Sequence, residues 1–244
     1  MQPELVAAAL RLTGGTWQVI AMLLAAGLFW LQYIDLKDRL QPEPRHRLIL
    51  AYLLGMAACW LAVGLFWLTE LLGFPEYDAG DGGWLATYCF LVIGPIEEGA
   101  KLLVALAIVF RWRVFDEPVD GLVYPAAIAL GFASLENFIH LPGLPLSEQL
   151  GRSFALPFTH TMFAAIWGLA IAHARFHMAP GWRRTWLQLG AVALAMALHG
   201  FYDWLIFAHR ATYWVGGLML VIWAIVIGRA RSLVRPRPVS APRG

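Results

Sequence analysis

The 244 residues carry 60% hydrophobic and only 14% charged side chains, with a net charge of +2 and a mean hydropathy of +0.63. Such a balance excludes an ordinary soluble domain, and the weak basicity calls for no nucleic acid, since basic loops facing anionic lipid account for it. The expectation is an all-α integral membrane protein, a polytopic bundle of about seven transmembrane helices forming one membrane domain over residues 1–244.

The apolar residues come in runs of about 20, the length that crosses roughly 30 Å of hydrocarbon. In chain order the predicted spans are Trp17–Ile34, Leu48–Leu68, Trp84–Phe110, Gly121–Leu141, Ser153–His173, Thr185–Phe207 and Tyr213–Gly228. The first is too long for a cleavable signal peptide and lacks a basic n-region, so all seven are expected in the mature chain. Lys and Arg accumulate on alternate loops: Lys37, Arg39, Arg45 and Arg47; Arg111 and Arg113; Arg175, Arg183 and Arg184; and the tail from Arg229. The opposite side carries only Arg11, Arg152 and Arg210, together with the acidic Glu70, Glu76, Asp78 and Asp81. By the positive-inside rule the N-terminus lies outside a cell membrane and the C-terminus in the cytoplasm, with residues 229–244 as a basic tail.

Cys59 and Cys89 lie in or beside apolar runs without C-x-x-C spacing, so no disulfide or thiolate metal site is expected. The twelve Trp residues read largely as an interfacial or lipid-facing belt.

Within the spans stand residues that lipid would not select: Glu97, Glu98 and Lys101; Glu136, Asn137 and His140; His160; His199 and Asp203. A charge near a span centre costs about 2.5–3.5 kcal/mol on insertion scales, so these residues are expected to face a bundle interior or a watered cavity. Residues three or four apart share a helix face, which places Glu97 and Glu98 over Lys101, Glu136 over His140, and His199 over Asp203. Gly94-Pro95 should loosen the third helix just before its acidic pair, and Gly200 should let another backbone approach His199. Counted by helical rise, Glu136, His160 and His199 lie roughly 8 to 11 Å below the outer boundary, so four helices can aim into one polar layer about residues 94–204.

No H-E-x-x-H zinc motif and no G-x-S-x-G elbow is present, and Asp78 and Asp81 fall in a loop. Glutamate and histidine remain, and a carboxylate that takes a proton from water beside an orienting histidine suffices for amide hydrolysis, with or without a metal. Two other classes share this composition: an ion-coupled transporter, in which buried Glu, Lys and His relay protons, and a catalytically silent membrane scaffold.

Four elements in order resemble one family: Glu97-Glu98-Gly-Ala-Lys101, Phe132-Ala-Ser-Leu-Glu136-Asn137, His160 with Phe163 and Gly168, and His199-Gly200-Phe-Tyr-Asp203. They resemble the PrsW-type intramembrane proteases, relatives of the type II CAAX prenyl proteases and bacteriocin-processing enzymes. The resemblance implies an intramembrane endopeptidase in which Glu97 activates water, Glu98 and Lys101 support it, and His160 and His199 position the water or stabilise the oxyanion. It also implies a single-span membrane protein as substrate, such as an anti-sigma factor. Glu136 and Asp203 depart from the prenyl-protease branch, where His and Asn are usual. An ionised Asp203 cannot donate to an oxyanion, which leaves it to orient His199 or to join a metal site. The metal question stays open: His160 and His199 are candidate ligands for zinc, but no helix carries two histidines at i,i+4 in the polar layer, which favours a metal-free glutamate mechanism.

Overall fold

The computed structural model describes residues 14–35, 42–74, 82–209 and 212–233. Within them the chain is helical and has no strand. In chain order the helices are α1 (Gly14–Asp35), α2 (Arg45–Leu71), α3 (Gly82–Tyr88), α4 (Gly94–Ala107), α5 (Asp120–His140), α6 (Leu146–His177), α7 (Trp182–His209) and α8 (Thr212–Leu233). A π-helical turn, Cys89–Ile93, joins α3 to α4, and a 3₁₀ turn, Val109–Arg111, follows α4. Each of the seven apolar runs thus corresponds to a helix, the third being broken by the π turn. The acidic loop 75–81 and the tail beyond 233 lie outside the described residues.

By length and composition α2, α5, α6 and most of α7 are each able to cross a membrane, and Trp17–Tyr33 and Trp214–Arg229 form shorter apolar helices. Burial separates them. In the most apolar window of α5, 94% of residues are buried, against 33% in α2 and 22% in α7. A helix apolar all round that is also buried all round is a central one, and α5 is that helix, enclosed by α2, α6 and α1.

Small side chains permit this enclosure. Ala126, Ala127, Ala129 and Ala133 are fully buried along α5. Gly131 lies against the backbone carbonyl of Tyr52, and Gly55 of α2 lies against that of Ile128. The two helices therefore touch backbone to backbone at two points, in the manner of small-residue packing within membranes. The outward faces keep large apolar side chains in view, among them Leu28, Trp60, Trp67, Leu91, Trp182, Trp186 and Trp214, as a lipid-facing surface requires.

Two expectations are corrected. The helix of the fifth apolar run, α6, begins at Leu146, seven residues before Ser153, so Glu148 and Arg152 sit on helix rather than in a loop. At about 1.5 Å per residue its 32 residues reach about 48 Å, longer than the hydrocarbon alone requires. Trp167 also leaves the aromatic belt: it is fully buried between α4 and α6 with its indole N–H engaged.

Candidate active site

The site begins at the break in the third apolar run. Pro95 has no N–H to give, and its ring would crowd the carbonyl four residues earlier, so the chain widens into the π turn directly before it. Gly94 and Gly200 let this turn and α7 meet backbone to backbone: Gly94 abuts Met196, and Gly200 abuts Cys89 and Phe90. The close approach read from Gly200 in the sequence is thus made, and it carries His199 up to α4.

Glu97 and Glu98, neighbours in sequence, have opposite surroundings. Glu98 is fully buried and accepts three hydrogen bonds: Lys101 Nζ at 2.7 Å and His199 Nδ1 at 3.0 Å on Oε1, and Trp167 Nε1 at 2.9 Å on Oε2. A carboxylate ringed by donors in this way is an anchor. Glu97 Oε2 is buried with no hydrogen-bond partner, 3.9 Å from Lys101 Nζ and 3.6 Å from His199 Nε2.

The histidine tautomers follow from what each ring touches. Because an ionised Glu98 only accepts, His199 carries a proton on Nδ1, and its Nε2 faces Glu97 and Asp203 Oδ2, which is 3.5 Å away. Lys101 only donates, and its Nζ lies 2.7 Å from His160 Nδ1, so the His160 proton sits on Nε2, 3.1 Å from Glu136 Oε2. The buried ammonium of Lys101 further rests 4.2 Å from the centre of the Phe132 ring, a cation–π contact. Phe132 stacks on His160 and Phe163 on His199, while the two imidazoles meet edge to face at 5.0 Å. The Phe residues of the second and third motifs therefore fix the imidazole planes.

The remaining expected residues fall into place around this cluster. Asp203 stands on the Nε2 side of His199, so the carboxylate that orients His199 is Glu98, and Asp203 is left facing Glu97. Asn137 is fully buried and turned towards α6, where its Oδ1 accepts from Arg152 Nε at 3.0 Å. His140 bonds through Nδ1 to the Glu136 carbonyl at 2.9 Å rather than to its carboxylate, as suits a residue at a helix end. Arg152 and Trp167, which composition and spacing marked only as a loop charge and an aromatic-belt residue, both bind carboxylates of the cluster. Their signal was absent from the sequence because each acts across helices.

A cavity of about 960 Å³ reaches from Glu97, Glu136, His160, His199 and Asp203 to the α5–α6 turn at Leu144, with an apolar wall that includes Phe66, Leu156 and Met219. Four carboxylates here, those of Glu97, Glu98, Glu136 and Asp203, share two side-chain cations, Lys101 and Arg152. Protons, a charged histidine or a bound cation must meet the remainder. Glu97, His160 and His199 each offer a donor atom within 4.8 Å of the other two, and three buried oxygens without a hydrogen bond, Glu97 Oε2, Glu136 Oε2 and Asp203 Oδ2, belong to residues lining the same cavity. In number, type and separation these donors fit a divalent metal.

The fold and site define a multi-pass helical membrane protein with a buried acid–histidine chamber open to one end of the bundle. The family model described as PrsW family intramembrane metalloprotease matches residues 43–228. Protease PrsW of Geobacillus kaustophilus is 29% identical over 227 residues, covering 91% of this chain and 96% of that protein. Protease PrsW of Bacillus subtilis is 29% identical over 88% of this chain and 94% of its own length, and that of Clostridioides difficile is 30% identical over 82% of each. The chain belongs to the PrsW family of intramembrane proteases. No solved structure is matched.

Proposed function

We propose that the protein cuts a peptide bond within the transmembrane segment of a membrane-protein substrate, an anti-sigma factor being one such target, using water activated by Glu97. The observation that carries this reading is Glu97 Oε2, a buried carboxylate oxygen without a partner at the inner end of a cavity lined by two oriented histidines. Glu97 takes the water proton as the oxygen attacks the scissile carbonyl, and later delivers that proton to the departing amide nitrogen. His199 Nε2 orients the water, with Glu98 fixing its ring from Nδ1. His160 donates its Nε2 proton, which is in no hydrogen bond with Glu136 Oε2, to the developing oxyanion, and the Glu136 carboxylate nearby offsets the charge drawn onto the ring. Lys101 keeps Glu98 ionised and His160 in the required tautomer.

A second reading, metal-assisted hydrolysis, is favoured by the clustered donors of Glu97, His160 and His199. These three residues would hold the ion, and the proton would fall to Glu136 or Asp203. When bound, such an ion supplies Lewis-acid polarisation of the carbonyl and a more acidic water. Metal analysis of pure, active enzyme separates the two readings. Under the first, activity in nanodiscs survives exhaustive chelation and the metal content stays well below stoichiometric. Loss on chelation with recovery on adding zinc would establish the second.

Basic residues on alternate connections support a cell-membrane orientation with the N-terminus outside and the C-terminus in the cytoplasm. In that orientation the α5–α6 turn is external, and Glu136 is four residues from the end of α5, about 6 Å inside it. The substrate is then cut in the outer half of its own span, within about seven residues of its outer boundary. Mass spectrometry of both fragments of a reconstituted substrate checks this, and a cut at the cytoplasmic boundary would contradict it.

A further inference from the structure

Arg152, which lines the cavity, grips both Glu136 and Asn137 from a neighbouring helix. Its Nη2 donates to Glu136 Oε1 at 3.0 Å, and its Nε donates to Asn137 Oδ1 at 3.0 Å. The Asn137 amide returns a bond to the Arg152 carbonyl at 3.3 Å. Glu136 and Asn137 are consecutive on α5 and so diverge by about 100° around the helix. Nε and Nη2 lie along one edge of the planar guanidinium, and that double-donor edge takes both acceptors at once. The other oxygen of Glu136 lies 3.1 Å from His160 Nε2, and His160 stands on the same helix as Arg152. The Glu136 carboxylate is therefore held by Arg152 through Oε1, while Oε2 stands beside His160 without a hydrogen bond.

Its surroundings separate this contact from an ordinary surface ion pair. Glu136 is only 12% exposed at its side chain and Asn137 is fully buried, while Arg152 is 36% exposed and lines the cavity mouth. Gln149, one turn earlier on α6, already ties the α5–α6 turn by donating to the carbonyls of Leu141 and Leu144. Arg152 is thus not needed to close the hairpin, and its contact with Glu136 bears on the chamber instead.

We infer that Arg152 is a positioning residue for hydrolysis: it acts through Glu136 to keep that carboxylate beside the His160 imidazole at the chamber wall. This rests on the reading of the chamber as the hydrolytic centre. Without the guanidinium, Glu136 has freedom to swing, and His160 loses the carboxylate that stands 3.1 Å from its Nε2.

The test is turnover of a reconstituted membrane peptide by wild type, Arg152→Ala, Arg152→Lys, Glu136→Gln, the Arg152→Ala/Glu136→Gln pair and Glu97→Gln, each first checked for folding by thermal unfolding in detergent. Arg152→Ala should lower kcat about 10- to 100-fold, the range common for residues that orient a reacting group, with KM changed by less than about threefold. Arg152→Lys keeps the charge but cannot bridge both acceptors, so it should recover less than a third of the loss, roughly. Guanidinium ion at non-denaturing concentration should partly restore Arg152→Ala and leave Glu136→Gln unmoved. In the double variant the two losses should not multiply, because both remove the same constraint. Full activity in Arg152→Lys, multiplicative losses, or a fall in melting temperature that accounts for the whole effect would each overturn the proposal. Should Arg152→Ala fail to fold, Arg152→Lys and the rescue of its activity decide alone. A fully active Glu97→Gln would instead remove the hydrolytic reading itself, whatever the arginine variants do.

Discussion

Glu97→Gln should lower turnover at least about a hundredfold while the protein folds normally, because general-base catalysis supplies about 10²- to 10⁴-fold and glutamine keeps the shape but not the proton affinity. The buried Oε2 of Glu97 has no hydrogen bond to lose, so the substitution breaks no hydrogen bond between helices there. Glu98→Gln is the contrasting case. Glu98 accepts from Lys101, His199 and Trp167, and an amide nitrogen placed on either side would meet a donor with a donor. That variant should lose activity and melt at a lower temperature as well, since it leaves the buried ammonium of Lys101 short of its counter-charge. Turnover of a membrane peptide and thermal unfolding in the same detergent distinguish the adjacent glutamates. A Glu97→Gln enzyme within about threefold of wild type would take Glu97 out of the mechanism.

The largest loss of stability is expected from Gly131→Leu. A side chain at this position would run into the main chain of Tyr52, which cannot turn aside as a side-chain tip can. Overpacking of a close-packed interior costs about 1–3 kcal/mol and more where backbone must move, so the cost should lie at or above the top of that range. Because α5 carries Glu136 and Asn137 five and six residues further on, separation of α2 from α5 also displaces one wall of the chamber. Gly64→Leu serves as the control, since a side chain there meets nothing within 4 Å. Unfolding in graded denaturing detergent should place Gly131→Leu far below wild type and Gly64→Leu beside it. Equal stability of the two variants would mean that the α2–α5 approach is looser than described.

The sequence alone determined the helices and the membership of the polar layer. Apolar runs of about 20 residues are a local property, set by the thickness of the hydrocarbon, so seven of them could be read without any contact information. Charged residues inside those runs must turn away from lipid, and that single constraint selected Glu97, Glu98, Lys101, Glu136, Asn137, His160, His199 and Asp203. The i,i+3 and i,i+4 spacings anticipated the Lys101 contacts with both glutamates, and Gly94-Pro95 anticipated the widened turn. A helix can run on beyond the apolar stretch that crosses lipid, and for that reason α6 starts seven residues before the fifth apolar run.

Tertiary structure decided which of two adjacent carboxylates is held and which is free. Glu97 and Glu98 differ by one position and about 100° of helix, and only the arrival of Trp167 from α6 and His199 from α7 distinguishes them. The same holds for α5, whose composition resembles that of its neighbours but whose backbone-to-backbone contacts make it the centre. It holds again for Arg152, a loop charge by sequence and a bridge to Glu136 and Asn137 in the folded bundle. Each of these outcomes depends on side chains that are distant along the chain, and hydropathy and spacing carry no information about which distant groups meet.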